Sequence, residues 1–252
     1  FRDTQLASGG WRPSWDSDPA NADTTGWVVQ ALLSAGHNPP AWGTTTPQSA
    51  LLALQQASGC IGGTYANAYS TIEALFGLGD LPLTFLGQDS RVWRTLTWLN
   101  GIQQADGSWP GSFGSATKST CYSVLVYAAA GYDPHTVTAV GSSVSAMDYL
   151  SATATTGSSQ SADVAGLLAL AVVAAGDDPR DFGGVNLVDK IESYHRAAGF
   201  YGSASSTTVW IHSWAMLGMA ATGETVPADA VQWLRDAQAD NGSWGYSSST
   251  SD

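Results

Sequence analysis

Three stretches of the chain share one spelling: QLASGGW at 5–11, QQADGSW at 103–109 and QADNGSW at 238–244. Each reads Gln, three residues, Gly, one residue, Trp, giving the sets Gln5-Gly9-Trp11, Gln103-Gly107-Trp109 and Gln238-Gly242-Trp244. Looser versions stand at QQASGCI (55–61), TATTGSS (153–159) and HRAAGFY (195–201). The anchoring glycines Gly9, Gly59, Gly107, Gly157, Gly199 and Gly242 are therefore 50, 48, 50, 42 and 43 residues apart. A fixed period of this size means one supersecondary unit repeated, each unit burying its apolar face only against its neighbours. Residues 1–252 then read as a single domain with repeat starts near 5, 55, 103, 153, 195 and 238, the last repeat incomplete.

Between the phrases the chain alternates two kinds of helix. Segments such as TGWVVQALLSAG, YSTIEALFGLG, CYSVLVYAAAG, DVAGLLALAVVAAG and VWIHSWAMLGMAATG have too few polar residues for a solvent face, and read as inner helices. Each stops at a glycine (Gly36, Gly79, Gly131, Gly176 or Gly223) followed by a proline (Pro39, Pro82, Pro134, Pro179 or Pro227), the usual punctuation of a helix end. The partner segments, PQSALLALQQA, RVWRTLTWLNGIQQ, VSAMDYLSAT, NLVDKIESYHRA and ADAVQWLRDAQA, carry the charges on one side and apolar residues at spacings of three and four, as outer helices do. Hairpins with one member apolar all round fit a closed ring better than an open solenoid. The expected fold is all-α: an α/α toroid with an inner and an outer ring of helices, in about six repeat phases. In that frame the recurrent Gln serves carbonyls at the end of an outer helix, the Gly makes the turn, and the Trp covers the joint between neighbouring hairpins.

Composition excludes some partners. The formal net charge is -12, with no basic cluster, so phosphate backbones are repelled and nucleic acid is not an expected partner. The longest apolar run, VAGLLALAVVAAG at 164–176, falls short of the roughly 20 residues needed to span a bilayer, so no membrane span is expected. Few Lys and Arg beside much Ser, Thr, Gly and Trp point towards a secreted or cell-surface protein.

The intact phrase is the QW motif of the terpenoid cyclase and protein prenyltransferase superfamily, which the chain resembles over essentially its full length. The resemblance implies the toroid; it leaves function open, because catalysts, carriers and structural members share that fold. Class II cyclases of the superfamily use an Asp-x-Asp-Asp stretch before an inner helix, whose middle acid protonates an alkene or epoxide. Only that middle acid has counterparts here, Asp23 in NADT and Asp163 in SADV, and an acid there without its flanking carboxylates reads more simply as a helix N-cap. WDSDP at 15–19 has two acids but sits in a loop. Prenyltransferases imply a zinc site of Asp, Cys and His; here Cys121 and His212 lie a whole extra repeat apart and Ser119 stands where the Asp belongs, so neither a metal nor another cofactor is expected. Cobalamin carriers of this fold add a β-rich domain that the chain lacks.

Inner-helix starts would set Trp27, Tyr69, Tyr122, Trp210, His212 and Trp214 at the mouth of a central funnel, a lining suited to an amphipathic ligand or a sugar, though a barrel of helices also fills its axis with large side chains. Cys60 and Cys121 lie in adjacent repeats, so a disulfide between them is open. The chain begins in the tail of an outer helix and ends in the loop before a sixth inner one. A segment of a longer chain, five self-closing hairpins and head-to-tail assembly with a neighbouring chain all fit. The favoured function is a non-catalytic extracellular module for binding or interaction, holding an amphipathic or terpenoid-like ligand. A divergent class II terpene cyclase and a structural surface protein assembling head to tail are the alternatives.

Overall fold

The computed structural model describes residues 4–13, 20–34, 37, 44–78, 90–111 and 115–245. Among them the chain is all-helical, with no strand beyond four isolated bridges. The helices are α1 Ala22–Ser34, α2 Pro47–Ala53, α3 Ala68–Leu78, α4 Ser90–Gly101, α5 Ala116–Ala129, α6 Ala146–Ser158, α7 Ala162–Ala174, α8 Leu187–Glu192, α9 Val209–Ala221 and α10 Ala228–Asp236. Odd-numbered helices are the apolar segments and even-numbered ones the charged segments of the sequence. No described helix is long and apolar enough to cross a membrane. Gly36, Pro39, Gly79, Pro82 and the acids of WDSDP lie outside the described residues.

The helices start where short polar side chains take up free backbone N–H groups. Asn21 Oδ1 accepts from Thr24 N at the head of α1 and Asn67 Oδ1 from Ser70 N in α3. Ser115 caps α5, Asn186 caps α8 and Thr208 caps α9, while Thr46 with Pro47 opens α2. Gly131, Gly176 and Gly223 follow α5, α7 and α9 with positive φ, as expected of the residue after a helix end. Helices α3, α5 and α7 are buried on nearly every side. Helix α9 departs from the expectation: Trp210 and Leu217 are exposed, so it presents an apolar stripe on one side.

The chain divides into two compact units, Phe1–Ala146 and Met147–Asp252. In the first, α1 packs on α3, with α2, α4 and α5 against α3; in the second, α7 packs on α9, with α8 against both and α10 against α9. Both main pairs are built the same way. A Cβ on Gly26 would overlap the carbonyl of Glu73, and one on Gly77 would stand 2.8 Å from the Gly26 Cα. In the second unit a Cβ on Gly166 would overlap the Trp214 carbonyl, and one on Gly218 the Gly166 backbone. Backbone lies directly on backbone at both crossings, and only glycine leaves that space.

The recurrent phrase forms one turn. Gly9, Gly59, Gly107, Gly199 and Gly242 all have φ between 81° and 100°. Each donates its N–H to the carbonyl three residues back: Leu6, Gln56, Gln104, Arg196 and Ala239. Where Gln is present its amide donates to the carbonyl of the turn's own glycine, from Gln5, Gln55, Gln103 and Gln238 at 2.7–3.2 Å. This differs from the expected bond to helix-end carbonyls: the four-residue spacing lets the side chain close its own turn. Gln103 also reaches Val137 O at 3.2 Å. A Cβ on Gly9 or Gly59 would press on the start of the next charged helix, at Thr46 O or Arg94 O, so the turn abuts its neighbour as a fastener should. The Trp109 and Trp244 indoles each donate to the carbonyl ten residues earlier, Leu99 and Leu234, at 2.8 Å. Trp11 and Trp109 are buried, whereas Trp244 is half-exposed. The fourth phrase breaks the pattern, because Gly157 lies inside α6 and no Gln precedes it.

A second recurrence was not evident from the phrase itself. The backbone N–H two residues after the turn glycine meets a side chain in the first turns of the following apolar helix. Trp11 N donates to Thr25 Oγ1 (2.9 Å), Ile61 N to Thr71 Oγ1 (3.0 Å), Trp109 N to Thr120 Oγ1 (3.1 Å) and Tyr201 N to His212 Nδ1 (3.0 Å). Three threonines and one histidine perform the same task.

The crossings make the sharpest prediction about stability. Gly26→Ala and Gly166→Ala will each cost about 3 kcal/mol or more in urea unfolding, because overpacking against backbone has no side chain to displace. Gly101→Ala, with nothing within 4 Å of an added Cβ, will be neutral or stabilising. Thr120→Val, leaving the buried Trp109 N–H without its acceptor, will cost about 1–3 kcal/mol.

Candidate functional site

The six funnel candidates fall into two groups, one in each unit. In the first unit Trp27, Tyr69 and Tyr122 come together around Phe76: Trp27 and Phe76 centroids are 5.2 Å apart, Tyr69 and Tyr122 5.5 Å edge-to-face, and Phe76 and Tyr122 6.5 Å. Phe76 and Tyr122 are buried; Trp27 and Tyr69 are partly exposed, so the cluster reaches the surface.

Among these rings stands a carboxyl that the sequence reading passed over. Glu73 is 2% exposed, and its Oε1 has no hydrogen-bond partner among the described residues. Burial, and then the neighbouring charge of Asp23, push the Glu73 carboxyl up to about 8, while the polar groups of Trp27 and Tyr69 close by oppose the rise. Glu73 is therefore mostly a neutral carboxylic acid at pH 7, able to donate as well as accept. Burial, with Glu73 and Tyr122 close by, holds the Tyr69 phenol far above its usual range. The signal for Glu73 was present in YSTIEALFGLG: one acid in a helix otherwise apolar on all sides has to be buried with the rest.

Asp23 lies in the first turn of α1, but the cap there is Asn21, so the N-cap reading of Asp23 is corrected: it supports the helix dipole, and its charge helps to keep the Glu73 carboxyl protonated. Asp163 is buried in the first turn of α7 and accepts from the Ser161 hydroxyl; the residue at its N-cap is Ser161. Both acids precede their crossing glycine by three residues. Measured back from Gly77 and Gly218 in the same way, Tyr69 corresponds to Trp210 and Glu73 to Trp214. The second unit thus carries an indole where the first carries its buried acid.

In that second unit Trp210 and Trp214 meet edge-to-face at 5.7 Å. His212 takes no part in their surface. It is fully buried, its Nδ1 accepts from Tyr201 N, and its Nε2 donates to Ala230 O at 3.0 Å, which fixes the neutral Nε2–H form. Burial lowers its pKa, opposed by the bond to Ala230. Its expected place in a ligand site is corrected to a structural one, since both nitrogens are committed to backbone.

The disulfide that the spacing of the two cysteines leaves open is not formed. Cys60 and Cys121 are both buried free thiols. Cys60 Sγ lies 3.1 Å from Thr71 Oγ1, and burial raises the pKa of both thiols. No group of three or more His, Cys, Asp or Glu suited to a metal occurs among the described residues.

Neither a protein-family model nor a curated protein sequence matches the chain.

The Glu73 shift fixes a pH dependence. Its pKa rises from an ordinary 4.5 to about 8 on folding, so the folded state holds the extra proton and stability falls as pH rises through that window. Glu73→Gln, which keeps shape and removes the charge, will leave stability unchanged at pH 4 and raise it by a few kcal/mol at pH 9. Urea midpoints measured across that range decide it: a flat difference between variant and parent contradicts a neutral buried Glu73.

Proposed function

We propose that this chain is a non-catalytic binding module of the α/α toroid kind, six repeat phases fastened by QW-like turns, and that its first unit holds an amphipathic or terpenoid-like ligand. The observation that carries this reading is the buried Glu73 carboxyl among aromatic rings, whose Oε1 has no hydrogen-bond partner among the described residues. Burying an acceptor without a partner costs about 1–3 kcal/mol, and a ligand hydroxyl would remove that cost while its hydrocarbon body covers Trp27 and Tyr69. The alternation of apolar and charged helices and the resemblance to the terpenoid cyclase and prenyltransferase repeats support the architecture. A low content of Lys and Arg supports an extracellular setting.

The cyclase alternative has one specific point in its favour: Glu73 is a protonated carboxyl in a hydrocarbon-like site, with Asp23 beside it. Its strength speaks the other way. An acid with a pKa of about 8 is weaker than an ordinary glutamic acid, at 4.5, whereas protonating an isolated alkene demands a stronger donor than usual. Donation of a hydrogen bond, not of a proton, is what this carboxyl is suited to.

Geranylgeraniol is a suitable probe, titrated while intrinsic Trp fluorescence is followed. Saturable binding is expected, weakened about tenfold by Trp27→Ala and by Glu73→Leu, with squalene and geranylgeranyl diphosphate recovered unchanged after incubation. A cyclised product that Glu73→Gln abolishes would replace this reading with the enzymatic one.

A further inference from the structure

A groove of about 320 Å³ opens on the first unit between α4 and the segment after α5, lined by Trp93, Leu96, Thr97, Asn100, Tyr127, Tyr132, Thr136, Val137 and Thr138. It shares no residue with the Glu73 cluster. Two of its aromatic side chains face solvent, Trp93 at 58% and Tyr132 at 43% exposure, although folded chains cover most of their large rings. No side chain that lines it carries a charge.

The floor is rigidly built. The Tyr127 hydroxyl donates to Leu96 O at 2.7 Å, and Tyr132 packs edge-to-face on Tyr127 with centroids 6.0 Å apart. Asn100 Nδ2 donates to Thr138 O at 2.8 Å, and Gln103 to Val137 O, so the glycine-turn fastener at the end of α4 also fixes the far wall. The hydroxyls of Thr97 and Thr136 donate to Trp93 O and Asp133 O, both at 2.8 Å.

Those bonds decide the chemistry. The Thr97, Thr136 and Tyr127 protons and the Asn100 amide are committed, so these groups offer acceptor lone pairs, while the Trp93 indole N–H and the Tyr132 hydroxyl add donors beside two exposed ring faces. A carboxylate or phosphate would find no cation, and a cation no carboxylate, among the lining side chains. A ligand rich in hydroxyl donors, uncharged, with flat C–H faces to lie on indole and phenol, meets every term. We propose that this groove is a binding site for neutral saccharides, one pyranose ring stacking on Trp93 or Tyr132 while its hydroxyls donate to Thr97 and Thr136.

The test is a titration of the whole chain with soluble neutral oligosaccharides: cellohexaose, xylohexaose, mannohexaose and chitohexaose, followed by calorimetry and by the aromatic side-chain signals of an NMR spectrum. At least one is expected to bind, with Trp93 and Tyr132 resonances shifting. Trp93→Ala and Tyr132→Ala should each weaken it about tenfold or more, and Thr97→Val severalfold. Both aromatic side chains are exposed, so the thermal melts of these variants should match the parent. The proposal fails if none of the four binds below about 10 mM, if binding survives Trp93→Ala unchanged, or if a proline-rich peptide binds through Trp93 where the oligosaccharides do not.

Discussion

The fold depends on two places where backbone touches backbone. Gly26 against Glu73 and Gly77, and Gly166 against Trp214 and Gly218, let pairs of apolar helices cross without side chains between them. Other helices gather about those contacts: α2, α4 and α5 pack on α3, and α8 and α10 attach to the α7–α9 pair. Residues four and eight before the second glycine, Glu73 and Tyr69 in one unit, Trp214 and Trp210 in the other, are the positions where aromatic and acidic chemistry collects.

Much of the helical order was legible because its signals are local. Runs such as DVAGLLALAVVAAG admit no solvent face, and their amphipathic partners alternate with them; the ten α-helices of the described residues follow in the expected sequence. The turn was legible too, since Gly with positive φ and Gln four residues earlier form a self-contained unit that needs no knowledge of the rest. Gly157 shows the limit of that reasoning: a Gly at the right interval continues α6 there, whereas Gly199, which also has no Gln four residues before it, still makes the turn.

What the sequence concealed is whatever depends on a partner distant in the chain. Gly26 and Gly77 look like ordinary small residues in apolar helices until the helices cross. His212 invites assignment to a site because imidazoles are common there, yet it fills the place held by Thr25, Thr71 and Thr120 in other repeats, an equivalence visible only from the backbone N–H each one receives. Glu73 and the Trp93–Tyr132 groove escaped for the opposite reason. Glu73 is a single acid inside an apolar run and belongs to no motif, and the groove belongs to a charged helix and the segment after α5.

The correspondence between Glu73 and Trp214 gives the molecule an internal comparison. Two nearly superimposable sequence registers, about 140 residues apart, keep the glycine crossing and the leading aspartate but exchange an acid for an indole at one position. A scaffold that accepts both at the same address is tolerant there of size, polarity and charge alike. That position is accordingly the natural one to diversify in a library, since the chain itself already demonstrates two unlike occupants on one backbone.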